Sequence, residues 1–276
     1  MRKKAEKICA NGNLNRHQWL ILDSFGNRKP GTNPALRFVG VKAIMLHSEK
    51  KTRPEPIVIP LQTLHTEDLQ GSILLPERSE AMVILAQVNS SRRQKLINLW
   101  VSATLNRKGI ATLVLDLLPR NGTNSNGRRF QLELLTQRLE LATRWLLRQP
   151  TTQSLTIGYF GTSIGAAAAF KAAAALGSRI QAVVSAGGRP DLAYNVLSKV
   201  SAATLFIVGE RDHLGIDLNN EAFAEITSEK RLTIIPEATH LFIEPGALIQ
   251  VGDVVSAWFK RYLTTSPNIS FQYPAK

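Results

Sequence analysis

The sequence predicts an α/β protein with a mostly parallel central sheet, helices on both faces and no large lid domain. Three observations lead there. From residue 56 onward, short apolar runs rich in Val, Ile and Leu alternate with longer helix-forming stretches, the pattern of parallel strands joined by crossover helices. The run Leu155–Phe160 passes through Gly161-Thr162-Ser163-Ile164-Gly165 directly into the alanine-rich stretch Ala166–Leu176, so a buried strand turns sharply into a strong helix former. Between the glycines Gly187-Gly188 and the apolar run at Ala203, the chain has room for one short helix and no inserted domain.

In chain order the apolar runs predict strands near Ile57–Leu61 and Gly71–Leu75, then a strand over Ala81–Ala86, whose unbroken apolar character suits burial on both faces. Helical spacing covers Arg92–Arg107, followed by the strand Ala111–Leu117 and a helix near Arg129–Arg148. After the central strand and the alanine helix come strand Gln181–Ala186, a short helix near Asp191–Lys199 and strand Ala203–Gly209. Helix Asn219–Thr227, strand Arg231–Pro236 and helix Gly246–Tyr262 complete the order. In that last helix Leu248, Val251, Val255, Trp258 and Leu263 fall near helical spacing, which marks a core stripe rather than a ligand surface.

Gly161-Thr162-Ser163-Ile164-Gly165 fits a G-x-S-x-G nucleophile elbow. Glycines on either side relieve crowding where the backbone bends around the serine, and the helix that starts there points its first N–H groups at the same spot. The five-letter pattern alone also fits an ordinary strand-to-helix turn; a strand before it and a helix after it favour the elbow. Such a serine needs a base and a group that orients the base, and in this arrangement both follow it in the chain. Glu210-Arg211-Asp212-His213 follows the strand Ala203–Gly209, and Glu237-Ala238-Thr239-His240 follows the last strand. Both lie where parallel strands end, the edge on which open α/β sheets carry their sites. Ser163, Asp212 and His240 are therefore the candidate nucleophile, acid and base. Asp212 also suits a helix N-cap, Glu210 and Asp191 compete as the acid, and His213 competes as the base. Only His213 and His240 lie beyond residue 65, and adjacency to Asp212 would force the His213 side chain to diverge from it.

From about Pro56 to Leu263 the chain resembles the dienelactone-hydrolase-like branch of the α/β-hydrolase superfamily, in a version with a serine nucleophile. The stretches that carry the likeness are Ile157–Ala166, Val184–Leu192, Ile207–Asp212 and Glu237–Phe242, in order over some 200 residues. The resemblance implies an α/β-hydrolase fold with Ser163 as nucleophile, Asp212 as acid and His240 as base, and a hydrolase of carboxylesterase, lactonase or thioesterase type. Dienelactone hydrolases usually carry cysteine at the elbow, so the serine argues against that substrate. In some relatives a similar hydrolase domain is attached to a phosphoribosyltransferase; no acidic pair leading into a Thr-Gly-rich phosphate loop occurs here, so the chain is expected to be the hydrolase part alone.

One stretch departs from the family pattern. The second oxyanion donor usually comes from a His-Gly-x-Gly loop after the third strand, where this chain has Gln87-Val88-Asn89-Ser90. Ile164 is expected to supply the first backbone N–H and Val88 the second, although a β-branched residue resists the backbone path that glycine allows. Loss of one such donor costs on the order of 10²–10³ in rate. The rival expectation is therefore a catalytically impaired hydrolase fold used for ligand or partner binding. Gln87, Asn89 and Arg189 are the candidate substrate-binding residues; Arg189 suits either a substrate carboxylate or a pair with Asp191, with the pair favoured. With no lid, the expected substrate is a small to medium ester rather than a long acyl chain. The loop Pro119–Arg129 reads as a turn-rich rim of the mouth.

The net charge of +13 is unevenly placed. Residues 1–55 hold twelve Lys/Arg against four Asp/Glu, so most of the excess sits there. Such an extension can bind nucleic acid or an acidic membrane through counterion release, but no zinc spacing, RNA-binding aromatic motif or recognition-helix pattern accompanies it. Residues 1–55 are therefore read as a solvated or non-native extension, 56–265 as the hydrolase domain and 266–276 as a tail. The single cysteine, Cys9, rules out an intramolecular disulfide. The longest apolar run near the N-terminus, Trp19–Leu22, is too short for a signal-peptide core. The expected location is cytoplasmic, with no membrane span, no metal, no cofactor and no specific nucleic-acid partner; the expected partner is a small-molecule ester, with a homodimer left open. Met45 stands just before the resembling region, and translation is expected to start there. Mass spectrometry of the natively expressed protein checks this: a chain beginning at Met45 is expected, and an intact segment 1–44 contradicts it.

Overall fold

The computed structural model describes residues 53–60, 68–88, 92–118 and 128–264. Most of the N-terminal extension with Cys9 and Met45, the candidate residue Asn89, the centre of the 119–129 loop and the tail 266–276 lie outside the described residues.

Eight strands form one sheet: β1 Glu55–Ile59, β2 Leu69–Leu74, β3 Ala81–Gln87, β4 Ala111–Asp116, β5 Thr156–Ser163, β6 Ile180–Gly188, β7 Ala203–Gly209 and β8 Lys230–Ile235. Their spatial order is β1-β2-β4-β3-β5-β6-β7-β8. β1 and β2 pair antiparallel, as do β2 and β4, and every later pairing is parallel. Among the described residues the α-helices are α1 Arg92–Arg107, α2 Arg128–Leu146, α3 Ile164–Leu176, α4 His213–Glu225 and α5 Ala247–Phe259.

The unbroken apolar strands have a simple cause, since helices cover the sheet on both sides. On one face Met82, Ile84 and Tyr159 pack with Leu135 and Leu139 of α2 and Phe170 of α3. On the other, Val83, Leu85 and Phe160 pack with Val101 and Leu105 of α1 and Val251, Val255 and Phe259 of α5. The stripe expected on the last helix is buried at Val251, Val255, Trp258 and Leu263, with Leu248 packed at its margin. Tyr159 sits fully buried at the sheet centre, where its hydroxyl shares a 2.6 Å hydrogen bond with Thr143 of α2. A buried hydroxyl needs such a partner.

Local departures from the expected elements have identifiable causes. α4 begins at His213, six residues before the expected start, because Asp212 caps it by accepting a hydrogen bond from Gly215 N–H at 3.1 Å. The expected short helix near 191–199 is a 3-10 helix over Pro190–Lys199 that opens on proline, whose fixed φ suits a first turn. α5 stops at Phe259 and the chain runs on as a single π turn, Lys260–Thr264. Between β6 and β7 there is only the 3-10 helix, so no cap domain rises from that connection.

Candidate active site

The sheet order brings β5 to the centre, and the chain turns there from strand to helix without a loop. Ser163 is the last residue of β5 and the N-cap of α3, with φ 50° and ψ −131°. A non-glycine residue in that region carries about 1–3 kcal/mol of strain, held in place by the surrounding packing. The flanking glycines show why the turn is so tight. A Cβ at Gly161 would lie 2.6 Å from the backbone of Ala166, and one at Gly165 would lie 2.6 Å from the carbonyl oxygen of Ala86. The Ser163 side chain makes no capping bond to α3, so its hydroxyl stays available at the carboxyl edge of the sheet.

Asp212 and His240 meet beside this edge. His240 Nδ1 lies 2.7 Å from Asp212 Oδ2, while Asp212 Oδ1 accepts from Gly215 N–H. One carboxylate thus caps α4 and holds the imidazole, so the two roles weighed for Asp212 coexist. The Asp212 side chain is only 14% exposed and that of His240 is 43% exposed, so the hydrogen-bonded pair keeps one side open to solvent. Ser163 pairs in register with Gly188, and Arg189 N–H donates to Ser163 O at 3.1 Å. The His240 carbonyl abuts Gly187, so the histidine loop packs against the strand end next to the serine.

The competing candidates have other partners. Glu210 accepts from Glu237 N–H at 2.8 Å, which ties the β7 end to the histidine loop. Asp191 takes a two-pronged pair from Arg189, with Nε at 2.8 Å and Nη2 at 2.7 Å. Of the two partners weighed for Arg189, the structure shows the favoured one, Asp191. Gln87 accepts from Asn98 Nδ2 of α1 at 3.3 Å, which ties the end of β3 to that helix. His213 is exposed on the first turn of α4.

A cavity of about 190 Å³ opens at the elbow, lined by Val88, Gln94, Leu118, Gln131, Thr162, Ser163 and Ile164. Val88 and Ile164, the two expected oxyanion donors, both border it. Gln94, Leu118, Gln131 and Thr162 were not foreseen from the sequence. Their signal was positional: Gln94 and Gln131 sit in the first turns of the helices that follow β3 and β4, at the strand ends where such sheets bind ligands. Among the described residues no group of three or more His, Cys, Asp or Glu could hold a metal ion, and no helix is long and apolar enough to cross a membrane.

A twisted, mostly parallel sheet with a strained serine at its central strand-to-helix turn, and an Asp–His pair on loops from later strands, defines an α/β-hydrolase fold. The model of the dienelactone hydrolase family matches residues 78–258, and the chain belongs to that family. It is 40% identical to a crystal structure of dienelactone hydrolase from Anabaena variabilis, with a TM-score of 0.72 over 78% of this chain and 100% of that one. A Mycobacterium tuberculosis protein, provisionally named a phosphoribosyl transferase, is 45% identical over 193 residues, which are 70% of this chain and 44% of that protein. The chain thus spans less than half the length of this curated relative. A Xanthomonas campestris structure described as an α/β serine hydrolase without lid shares the fold at 18% identity, with a TM-score of 0.61 over 80% of this chain and 99% of that one. A Coxiella burnetii structure described as an α/β serine hydrolase homologue and an esterase domain from Rhodothermus marinus, at 17% and 18% identity, share the fold.

The histidine loop carries a perturbed carboxyl at Glu244. Burial pushes the Glu244 carboxyl up, but hydrogen bonds from the Thr239 side chain and backbone outweigh it and hold the group below its ordinary value. A depressed folded-state value contributes stability that is present above the unfolded value and lost as pH falls through the folded one. The stability gap between the natural protein and Glu244→Gln is therefore expected to be constant near neutral pH and to narrow in acid. Urea unfolding of both proteins across that range checks it, and a gap that widens in acid contradicts it.

Proposed function

We propose that the protein is a cofactor-independent serine hydrolase that cleaves a carboxylic ester, lactone or thioester with a small to medium acyl group. The observation that carries this is the 2.7 Å Asp212–His240 contact on the same sheet edge as the strained Ser163. Asp212 accepts the Nδ1 proton and fixes the tautomer, which leaves Nε2 free to act as the base. His240 takes the hydroxyl proton as Ser163 Oγ bonds to the acyl carbon, and the carbonyl electrons move onto the oxygen. The N–H groups of Ile164 and Val88 stabilise that oxyanion. Collapse of the intermediate breaks the bond to the leaving group, which departs with the proton from His240. Water, activated by the same imidazole, then releases the acid and restores Ser163.

The size of the cavity favours a small acyl group. About 190 Å³ is below the roughly 300–1,000 Å³ of pockets that enclose drug-sized ligands. The proposal carries with it the expected cytoplasmic location and the absence of a specific nucleic-acid partner. It also covers the expected division into extension, hydrolase domain and tail, with the homodimer still open. A second reading, ligand binding without turnover, draws on the β-branched Val88 at the oxyanion loop.

A fluorophosphonate probe separates the two readings. Covalent labelling that maps to Ser163 and disappears in Ser163→Ala and His240→Ala is expected, with ester turnover in Asp212→Asn reduced on the order of 10³- to 10⁴-fold. A folded protein that takes up no probe, or takes it up elsewhere, overturns the hydrolase proposal.

A further inference from the structure

His240 sits in a connection between β8 and α5 that contains two non-glycine residues in the left-handed region, Glu237 at φ 59° and Phe242 at φ 50°. Such a path is costly unless its surroundings impose it. Its inner side is fixed by the Phe242 ring, which is 1% exposed. At its start, the Glu210 carboxylate accepts Glu237 N–H at 2.8 Å, Arg211 pairs with the Glu237 carboxylate, and Arg211 N–H donates to Ala238 O at 2.9 Å. The residue immediately before the histidine is held differently. Thr239 gives both of its donors to one carboxylate: N–H to Glu244 Oε2 at 3.0 Å and the hydroxyl to Glu244 Oε1 at 2.8 Å. The Glu244 backbone carbonyl in turn accepts Ala247 N–H at 3.1 Å, at the first turn of α5.

A mechanical path therefore runs from the buried stripe of α5 through Glu244 to Thr239 and so to the Cα of His240. Among the described residues the imidazole has one side-chain partner, Asp212. One hydrogen bond leaves the ring free to swing about it; the backbone beneath must supply the rest of the orientation. We propose that Glu244 is the positioning residue of the catalytic base. It acts through a carboxylate clamp on Thr239 that sets where His240 presents its second ring nitrogen to Ser163. This inference rests on the Ser163–His240–Asp212 reading. The clamp needs an ionised carboxylate, because two donors face it and a carboxamide offers only one acceptor atom. The depressed state of the Glu244 carboxyl agrees with that demand.

The chemistry makes the clamp separable from fold stability. Displacement of a catalytic group by about 1 Å costs on the order of 10² in rate. Glu244→Gln and Thr239→Val are therefore expected to lose roughly 10- to 100-fold in kcat with KM within about twofold, the signature of an interaction that matters in the transition state. The fluorophosphonate labelling rate is expected to fall by a similar factor. Thr239→Ser, which restores the hydroxyl donor, recovers most of the rate lost in Thr239→Val.

A second readout does not need turnover. The Nδ1 proton of His240, shared with Asp212, gives a strongly deshielded proton resonance identified by its loss in His240→Gln. It is expected to be sharp in the natural protein and broadened or shifted in Glu244→Gln. Glu244→Gln with unchanged kcat, labelling rate and resonance overturns the proposal, even if its melting temperature falls. A natural protein that neither labels nor turns over overturns the hydrolase reading instead; the resonance then decides the clamp by itself.

Discussion

The geometry of the whole site depends on how closely α3 approaches the ends of β3 and β5. Gly165 lies so near the Ala86 carbonyl, and Gly161 so near the first turn of the helix, that no side chain fits at either position. The strained Ser163 stands between them. Burial of the helix offsets that strain: Ala166 through Phe170 are fully buried, and small alanines let the helix axis sit close to the sheet. A run of larger apolar residues would bury more surface per residue but push the helix away and relax the turn. Alanine-rich composition and strained serine are thus two aspects of one packing solution.

Around that fixed point three carboxylates do different work. Asp212 holds the imidazole and caps α4, Glu210 anchors the start of the histidine loop, and Glu244 ties the residue before His240 to α5. Arg189 and Asp191 neutralise each other at the end of β6. Gln94 and Gln131 lie on the cavity wall.

Much of this was legible in the residues themselves. Strands buried on both faces show as unbroken apolar runs, and β7 lies where Ala203–Gly209 placed it; α1 spans Arg92–Arg107 as its spacing required. The elbow was legible because only glycine satisfies the two close approaches. What was hidden depends on side chains meeting across long stretches of chain. The partners of Gln87 and Glu210 cannot be read from local pattern, since a polar residue at a strand end serves substrate or neighbour equally well, whereas the pair of Arg189 with Asp191, two residues away, could be. α4 was placed late because Asp212 was weighed as triad acid and as cap separately, whereas one carboxylate has oxygens enough for both. The Thr239–Glu244 clamp lies within a short span of chain, yet the pattern T-x-x-x-x-E carries no periodicity to announce it.

The family match supports the fold and the class of chemistry, while the loop after β3 is where this chain parts from the usual glycine-rich form. Val88 borders the cavity beside Ile164, and a backbone donor does not depend on its side chain. Whether the site is complete turns on where an oxyanion would rest. The crystal structure of the phosphonylated protein tests this most directly. A phosphorus bonded to Ser163 Oγ, with its free oxygen within hydrogen-bond reach of both Ile164 N and Val88 N, is the predicted result. A phosphorus on another residue, or an oxygen turned away from both amides, would contradict it.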